Sequence, residues 1–116
     1  MRDLLPGVSI VGIGQIPVQK TSSASLREMG VGALRNAMNH AGVETVDALF
    51  VGNMLADDLH GQKHLATLIA SAAGLRGIEA LEVEAATATG AAALRMAYFA
   101  VASGEARLAV ALGSRK

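Results

Sequence analysis

A chain of 116 residues, 52% of them hydrophobic but only 3% aromatic, is long enough to bury one core without disulfides or metals, and that core must be built from Ala, Val, Leu, Ile and Met. Lys plus Arg equals Asp plus Glu at 10 each, so the chain carries neither the basic footprint nor the stacking platform of a nucleic-acid binder, and nucleic acid is not expected as a partner. With no cysteine there is no disulfide framework and no thiolate metal site, which suits a reducing compartment.

The opening Met1-Arg2-Asp3-Leu4-Leu5-Pro6 places an acid and a proline where a signal peptide needs an apolar run. Val8 to Gly14 is nearly continuous in apolar residues between glycines, the composition of a strand buried on both faces. Ser25 and Glu28 have the spacing of a capping box, and from there Leu26, Met29, Ala33, Leu34, Ala37, Met38 and Ala41 follow helical periodicity up to Gly42, a residue that ends helices readily. Gly30 and Gly32 weaken that helix. Asp47 to Gly52 reads as a second strand, and Leu65, Leu68, Ile69 and Ala72 mark a second helix stopped at Gly74.

From Ile78 to Ala85, Leu81, Val83 and Ala85 point one way and Glu82 and Glu84 the other, as in a strand with one wet face or at a sheet edge. Thr87 to Ser103 is predicted as a third helix, rich in alanine and apolar around most of its circumference, hence buried. Gly104 closes it and Leu108 to Gly113 supplies a last strand. The alternation predicts one α/β domain over residues 1–116, with a sheet of about four strands covered by helices. The longest apolar stretch, Ala91 to Ala102, is broken by Arg95 and too short to span a bilayer, so no membrane partner and a cytoplasmic location are expected.

Three short patterns bear on chemistry. Gly12-Ile13-Gly14-Gln15-Ile16-Pro17 begins like a dinucleotide fingerprint, but Pro17 replaces the third glycine and the next helix starts only near Ser25, so a plain strand end is the better reading. His60 and His64, preceded by Asp57 and Asp58, are four apart and would share a helix face. Gly61 occupies the place of the glutamate in a zinc-binding H-E-x-x-H, no third ligand is placed, and no metal is expected. Between Val83 and Leu94 an apolar strand turns directly into a small-residue helix. A residue at that turn meets free backbone N–H groups and the positive end of a helix dipole, which favour a thiolate or an oxyanion. Thr87 and Thr89 put hydroxyls there, and the residues alone favour a helix cap over a catalytic group.

That segment, V-E-A-A-T-A-T-G-A-A-A-L-R-M-A-Y from Val83 to Tyr98, with V-A-S-G-E-A from Val101 and a hydrophobic strand ending in glycine, is very similar to the nucleophile region of thiolases. It most resembles the archaeal and sterol-carrier-protein type. Val8 to Gly14 with Ile16-Pro17, Val51-Gly52-Asn53-Met54, and Gly61 to Ala66 leading to Ala73-Gly74-Leu75 resemble the same family in the same order.

The resemblance implies the amino-terminal part of a thiolase-like half-fold, a mainly parallel sheet with a buried Ala-rich helix. It further implies an acyl-CoA C-acyltransferase origin, the family's chemistry being Claisen condensation or thiolysis of 3-ketoacyl-CoA. The position matching the nucleophilic cysteine is Thr87, a much weaker nucleophile, so catalysis by this chain alone is not expected. His40, His60 and His64 do not match the family's catalytic histidine, which lies in a carboxy-terminal half. No cofactor is implied beyond coenzyme A as part of the substrate. A homodimer paired through Ile78 to Ala85, a carboxy-terminal half or an accessory subunit, and acyl-CoA are the implied partners. A non-catalytic assembly subunit and a retro-aldolase subunit are the alternatives.

Overall fold

The computed structural model describes residues 7–16, 26–52, 65–83 and 89–113. Helix α1 spans Leu26–Ala41 and buries Leu34 and Met38, one turn apart on a single face. Gly42, at φ +74°, ends it. Its N–H donates to Asn39 O at 3.2 Å while Val43 N–H donates to Met38 O at 3.0 Å, the paired bonds that satisfy a helix's last carbonyls. Helix α2, Leu65–Ala72, stops by the same device at Gly74, with Leu75 N–H donating to Ala70 O at 2.9 Å. Helix α3, Thr89–Ala102, gives way to a left-handed Gly104. All three terminators stand where the sequence places them.

The strands are β1 (Ala48–Gly52), β2 (Glu79–Val83) and β3 (Ala109–Gly113), in the spatial order β2-β1-β3 and all parallel. β1 is central and all five of its residues are buried. Its alternation divides the core: Leu49 and Val51 join Leu34, Met38, Ile69 and Leu112 under α1 and α2, while Ala48 and Phe50 pack with Ala93 and Ala97 of α3 on the opposite face. This is helical cover on both sides of a parallel sheet, the α/β class expected. Fully burying side chains of the size of Leu49 or Phe50 contributes about 1.5–3 kcal/mol each.

Asp47 ties the amino ends of the strands together. Its N–H donates to Leu108 O at 2.9 Å and its carbonyl accepts from Glu79 N–H at 3.1 Å. Its carboxylate accepts from the backbone N–H of Arg107 at 2.8 Å and of Leu108 at 3.2 Å. Gly30 also finds its reason here, since a Cβ on it would meet Ile69 Cδ1 at 2.5 Å: a glycine costly to the helix lets α1 and α2 approach.

Two elements differ from the sequence reading. Val8 to Gly14 is irregular and pairs with no strand among the described residues, so three of the four expected strands form the sheet. It is held on α1 instead. Ile13 N–H donates to His40 Nδ1 at 2.8 Å and Asn36 Nδ2 donates to Gln15 O at 3.1 Å. A side chain on Gly12 or Gly14 would collide with the α1 backbone at Ala33 and Ala37. The second difference is in α3, whose burial is confined to Thr89, Ala93, Ala97 and Ala102, while Leu94, Met96 and Phe99 stand exposed. β2 lies at a sheet edge, as one of the two expected alternatives has it, but Leu81, expected on its dry face with Val83, is exposed as Glu82 is.

Candidate functional site

In a parallel α/β sheet, ligands and reacting groups gather beyond the carboxyl ends of the strands, where helix starts point their N–H groups. Here that edge brings together the last residue of β1, Gly52, and the first of α3, Thr89. A Cβ at Gly52 would lie 2.8 Å from Thr89 Cγ2 and 2.8 Å from Thr89 O, so only a residue without a side chain lets the helix start seat so closely on the strand end. Thr89 is 7% exposed and is the buried polar side chain among the described residues.

The loop from β2 to α3 carries Thr87, and residues 84–88 lie outside the described residues, as do Pro17, Ser25, Asp57, Asp58, His60 and His64. Of the two threonines weighed at this turn, Thr89 is the one whose place is seen. Among the described residues no cluster of three or more His, Cys, Asp or Glu is placed to hold a metal. His40 accepts the Ile13 N–H from the last turn of α1, a structural contact. Gly12 and Gly14 serve close packing on α1, which gives the start of the fingerprint-like sequence a role unrelated to phosphate.

Asp47 is the group whose acidity is visibly altered. The Arg107 N–H, then the Leu108 N–H, hold its carboxyl below the usual carboxylate value, with a smaller contribution from the Arg107 charge. No sequence signal announces this contact, because the partners are 60 and 61 residues away. The Gly52–Thr89 contact was equally hidden, although a glycine closing an otherwise apolar strand is a pointer to close approach.

A family model of the thiolase N-terminal domain matches residues 8–116. Acetyl-CoA acetyltransferases of Methanothermobacter thermautotrophicus and Methanocaldococcus jannaschii are each 41% identical over 118 residues, covering 100% of this chain but 30% and 29% of the relatives. The chain thus spans under a third of the length of the curated relatives it matches. Among solved structures, 3-oxoacyl-[acyl-carrier-protein] synthase III from Aquifex aeolicus VF5 superposes with a TM-score of 0.65 at 22% identity, over 73% of this chain and 28% of that one. The priming β-ketosynthase of the R1128 polyketide pathway gives 0.61 at 34% identity, over 69% and 24%.

Fold and site together define an α/β domain in which a helix seats its buried first residue at the carboxyl edge of a parallel sheet, of the fold shared with those synthases. The chain belongs to the thiolase family, whose N-terminal domain it carries. Among the described residues no helix is long and apolar enough to cross a membrane.

Proposed function

We propose that this chain is the amino-terminal portion of a thiolase-like acyl-CoA C-acyltransferase, acting in the cytoplasm on 3-ketoacyl-CoA, and that it is inactive by itself. The observation that carries this reading is the first residue of α3, Thr89, buried against Gly52, in a chain 41% identical along its whole length to acetyl-CoA acetyltransferases. A helix start carries a partial positive charge, which favours a thiolate before acyl transfer and an oxyanion during it. Thr87, two residues before α3, takes the place of the nucleophilic cysteine. A threonine hydroxyl yields little alkoxide near neutral pH unless a base activates it, and His40, the histidine among the described residues, is engaged with Ile13 instead. Coenzyme A enters as part of the substrate, and no other cofactor is invoked.

The partner in this reading is first a second copy. β2 is an edge strand with Leu81 exposed, and an open edge presents backbone groups that a twofold-related β2 satisfies. A non-catalytic assembly subunit is the second reading, favoured by the exposure of Leu94, Met96 and Phe99 on α3.

Two measurements test the proposal. The purified chain is expected to leave acetoacetyl-CoA uncleaved in the presence of coenzyme A, and cleavage abolished by Thr87→Ala would refute its inactivity. Thr87→Cys should fold and give a thiol that titrates below the roughly 8.5 of a free cysteine, read from iodoacetamide kinetics against pH. A normal or raised value removes position 87 from the site.

A further inference from the structure

The buried positions of α3 are Thr89, Ala93, Ala97 and Ala102. Thr89, Ala93 and Ala97 are spaced four apart and so share one face of the helix, and Ala93 and Ala97 pack with Ala48 and Phe50 of β1. An alanine ends at its Cβ, so such a stripe lets α3 come close to the sheet but opposes little of a shift along the helix axis. Thr89 is the one branched side chain among the four. A Cβ at Gly52 would lie 2.8 Å from its Cγ2, so the γ-methyl faces the last residue of β1. Each Cα–Cβ bond of a helix tilts toward the amino end, which leans this methyl toward the end of α3 that Thr87 precedes. Thr87 is tethered to Thr89 by two peptide units, a reach of about 7.6 Å at roughly 3.8 Å each.

We propose that Thr89 is a positioning residue for acyl transfer: its γ-methyl, lodged against Gly52, is the stop that sets how far α3 reaches along β1, and with it the place of residue 87. The inference rests on the reading of position 87 as the nucleophile position of a thiolase-like acyltransferase, and it assigns the residue that holds that position. Packing alone would be served by another alanine, which continues the stripe and is the better helix former. Threonine at a buried helical position gives up side-chain freedom and takes a hydroxyl out of water. What its branch adds is the contact at Gly52. That contact accounts for both residues, since a side chain at 52 would push the methyl away and an alanine at 89 would leave the strand end without it. A reacting group displaced by about 1 Å can lose on the order of 100-fold in rate, so a stop beside the helix start has a chemical consequence that the alanines further along α3 lack.

The test uses the full chain carrying Thr87→Cys, with the thiolate fraction at about pH 6.5 taken from iodoacetamide kinetics over a pH series and folding checked by urea unfolding. Adding Thr89→Ser, which removes the γ-methyl and keeps the hydroxyl, should lower that fraction by about threefold or more in a chain that still folds. Gly52→Ala pushes on the same contact from the strand and should lower it as well. Thr89→Val keeps the γ-methyl and should stay within about twofold of the parent. Ile69→Val removes a buried methyl on the other face of the sheet and should leave the fraction unchanged. A fraction equal in Thr89→Ser and its parent overturns the positioning role and leaves the acyltransferase reading standing. So does a fraction that follows the hydroxyl, lost in Thr89→Val and kept in Thr89→Ser, or one that Ile69→Val lowers equally. A parent thiol that titrates at or above the roughly 8.5 of a free cysteine overturns both.

Discussion

Adding one methyl group at Gly52 tests whether the helix start is truly seated on the strand end. The Cβ of Gly52→Ala would stand 2.8 Å from both Thr89 Cγ2 and Thr89 O and 3.2 Å from Thr89 C. Carbon contacts relax at about 3.5–4.0 Å, so roughly 1 Å of separation must be found. Thr89 Cγ2 can rotate aside, but Thr89 O and C are the backbone of the first residue of α3. β1 cannot yield either, being central and buried on both faces. Forced overpacking of this kind costs about 1–3 kcal/mol, and the smaller chain entropy of alanine returns about 0.5–1 kcal/mol. The balance centres on a loss of about 1 kcal/mol, equivalent for a chain of this size to a melting temperature lower by roughly 4–8 °C. Urea unfolding followed by far-ultraviolet circular dichroism measures it. Gly90→Ala, on the same helix with nothing within 4 Å of its Cβ, serves as the opposite-sign control and should gain about 0.5–1 kcal/mol. If both substitutions stabilise, Gly52 and Thr89 are not in contact and the site geometry is wrong.

Three further outcomes are expected. Phe50→Ala, at a position 2% exposed on the α3 side of β1, should cost about 3–5 kcal/mol in urea unfolding; a loss below about 1 kcal/mol would mean that α3 does not close that face. Because the folded-state pKa of Asp47 is lowered by the Arg107 and Leu108 N–H groups, its contribution is present above the unfolded value near pH 4 and is lost as pH falls through the folded value. The urea midpoints of the wild type and Asp47→Asn should therefore differ by a constant amount above about pH 5 and converge below about pH 4, and a gap that widens on acidification refutes this. Gly14→Ala drives a methyl into the α1 backbone at Ala33 and Ala37, so exchange of the Ile13 amide, bonded to His40 Nδ1 at 2.8 Å, should accelerate while β1 amides keep their protection.

What the sequence reveals here is what depends on neighbours in the chain. Gly42, Gly74 and Gly104 end helices through bonds spanning a few residues, and β1 is an apolar run because it is buried on both faces. Each can be read locally. The role of Asp47 cannot, since its carboxylate meets Arg107 and Leu108 only after β3 has come to lie beside β1. Gly30 looks like a flaw in α1 until Ile69 is brought against it. Val8 to Gly14 carries a strand's composition but lies on α1 without a ladder, because pairing needs a neighbouring edge as well as suitable residues. At the candidate site, the turn between Val83 and Leu94 was legible as an apolar strand running into a small-residue helix, but the seating of Thr89 against Gly52 is a fact of packing.

The distribution of side-chain sizes carries the functional reading one step further. Internal contacts in this chain are made repeatedly by its smallest residues: Gly12 and Gly14 against Ala33, Ala37 and Ala41, and Ala93 and Ala97 against Phe50. Larger apolar side chains, namely Ile10, Val11, Ile13, Leu94, Met96 and Phe99, are left outside. Arg95 covers part of that surface, its guanidinium 5.0 Å from the Phe99 ring centroid, and Tyr98 meets the same ring edge-on. Small residues at these contacts allow helices and sheet to approach closely, as Gly52 and Thr89 do, which fixes where α3 begins relative to the end of β1. Ile10, Val11, Ile13, Leu94, Met96 and Phe99 would each contribute up to about 1.5–3 kcal/mol if covered, so the surface that carries them is where any association of this domain would gain most.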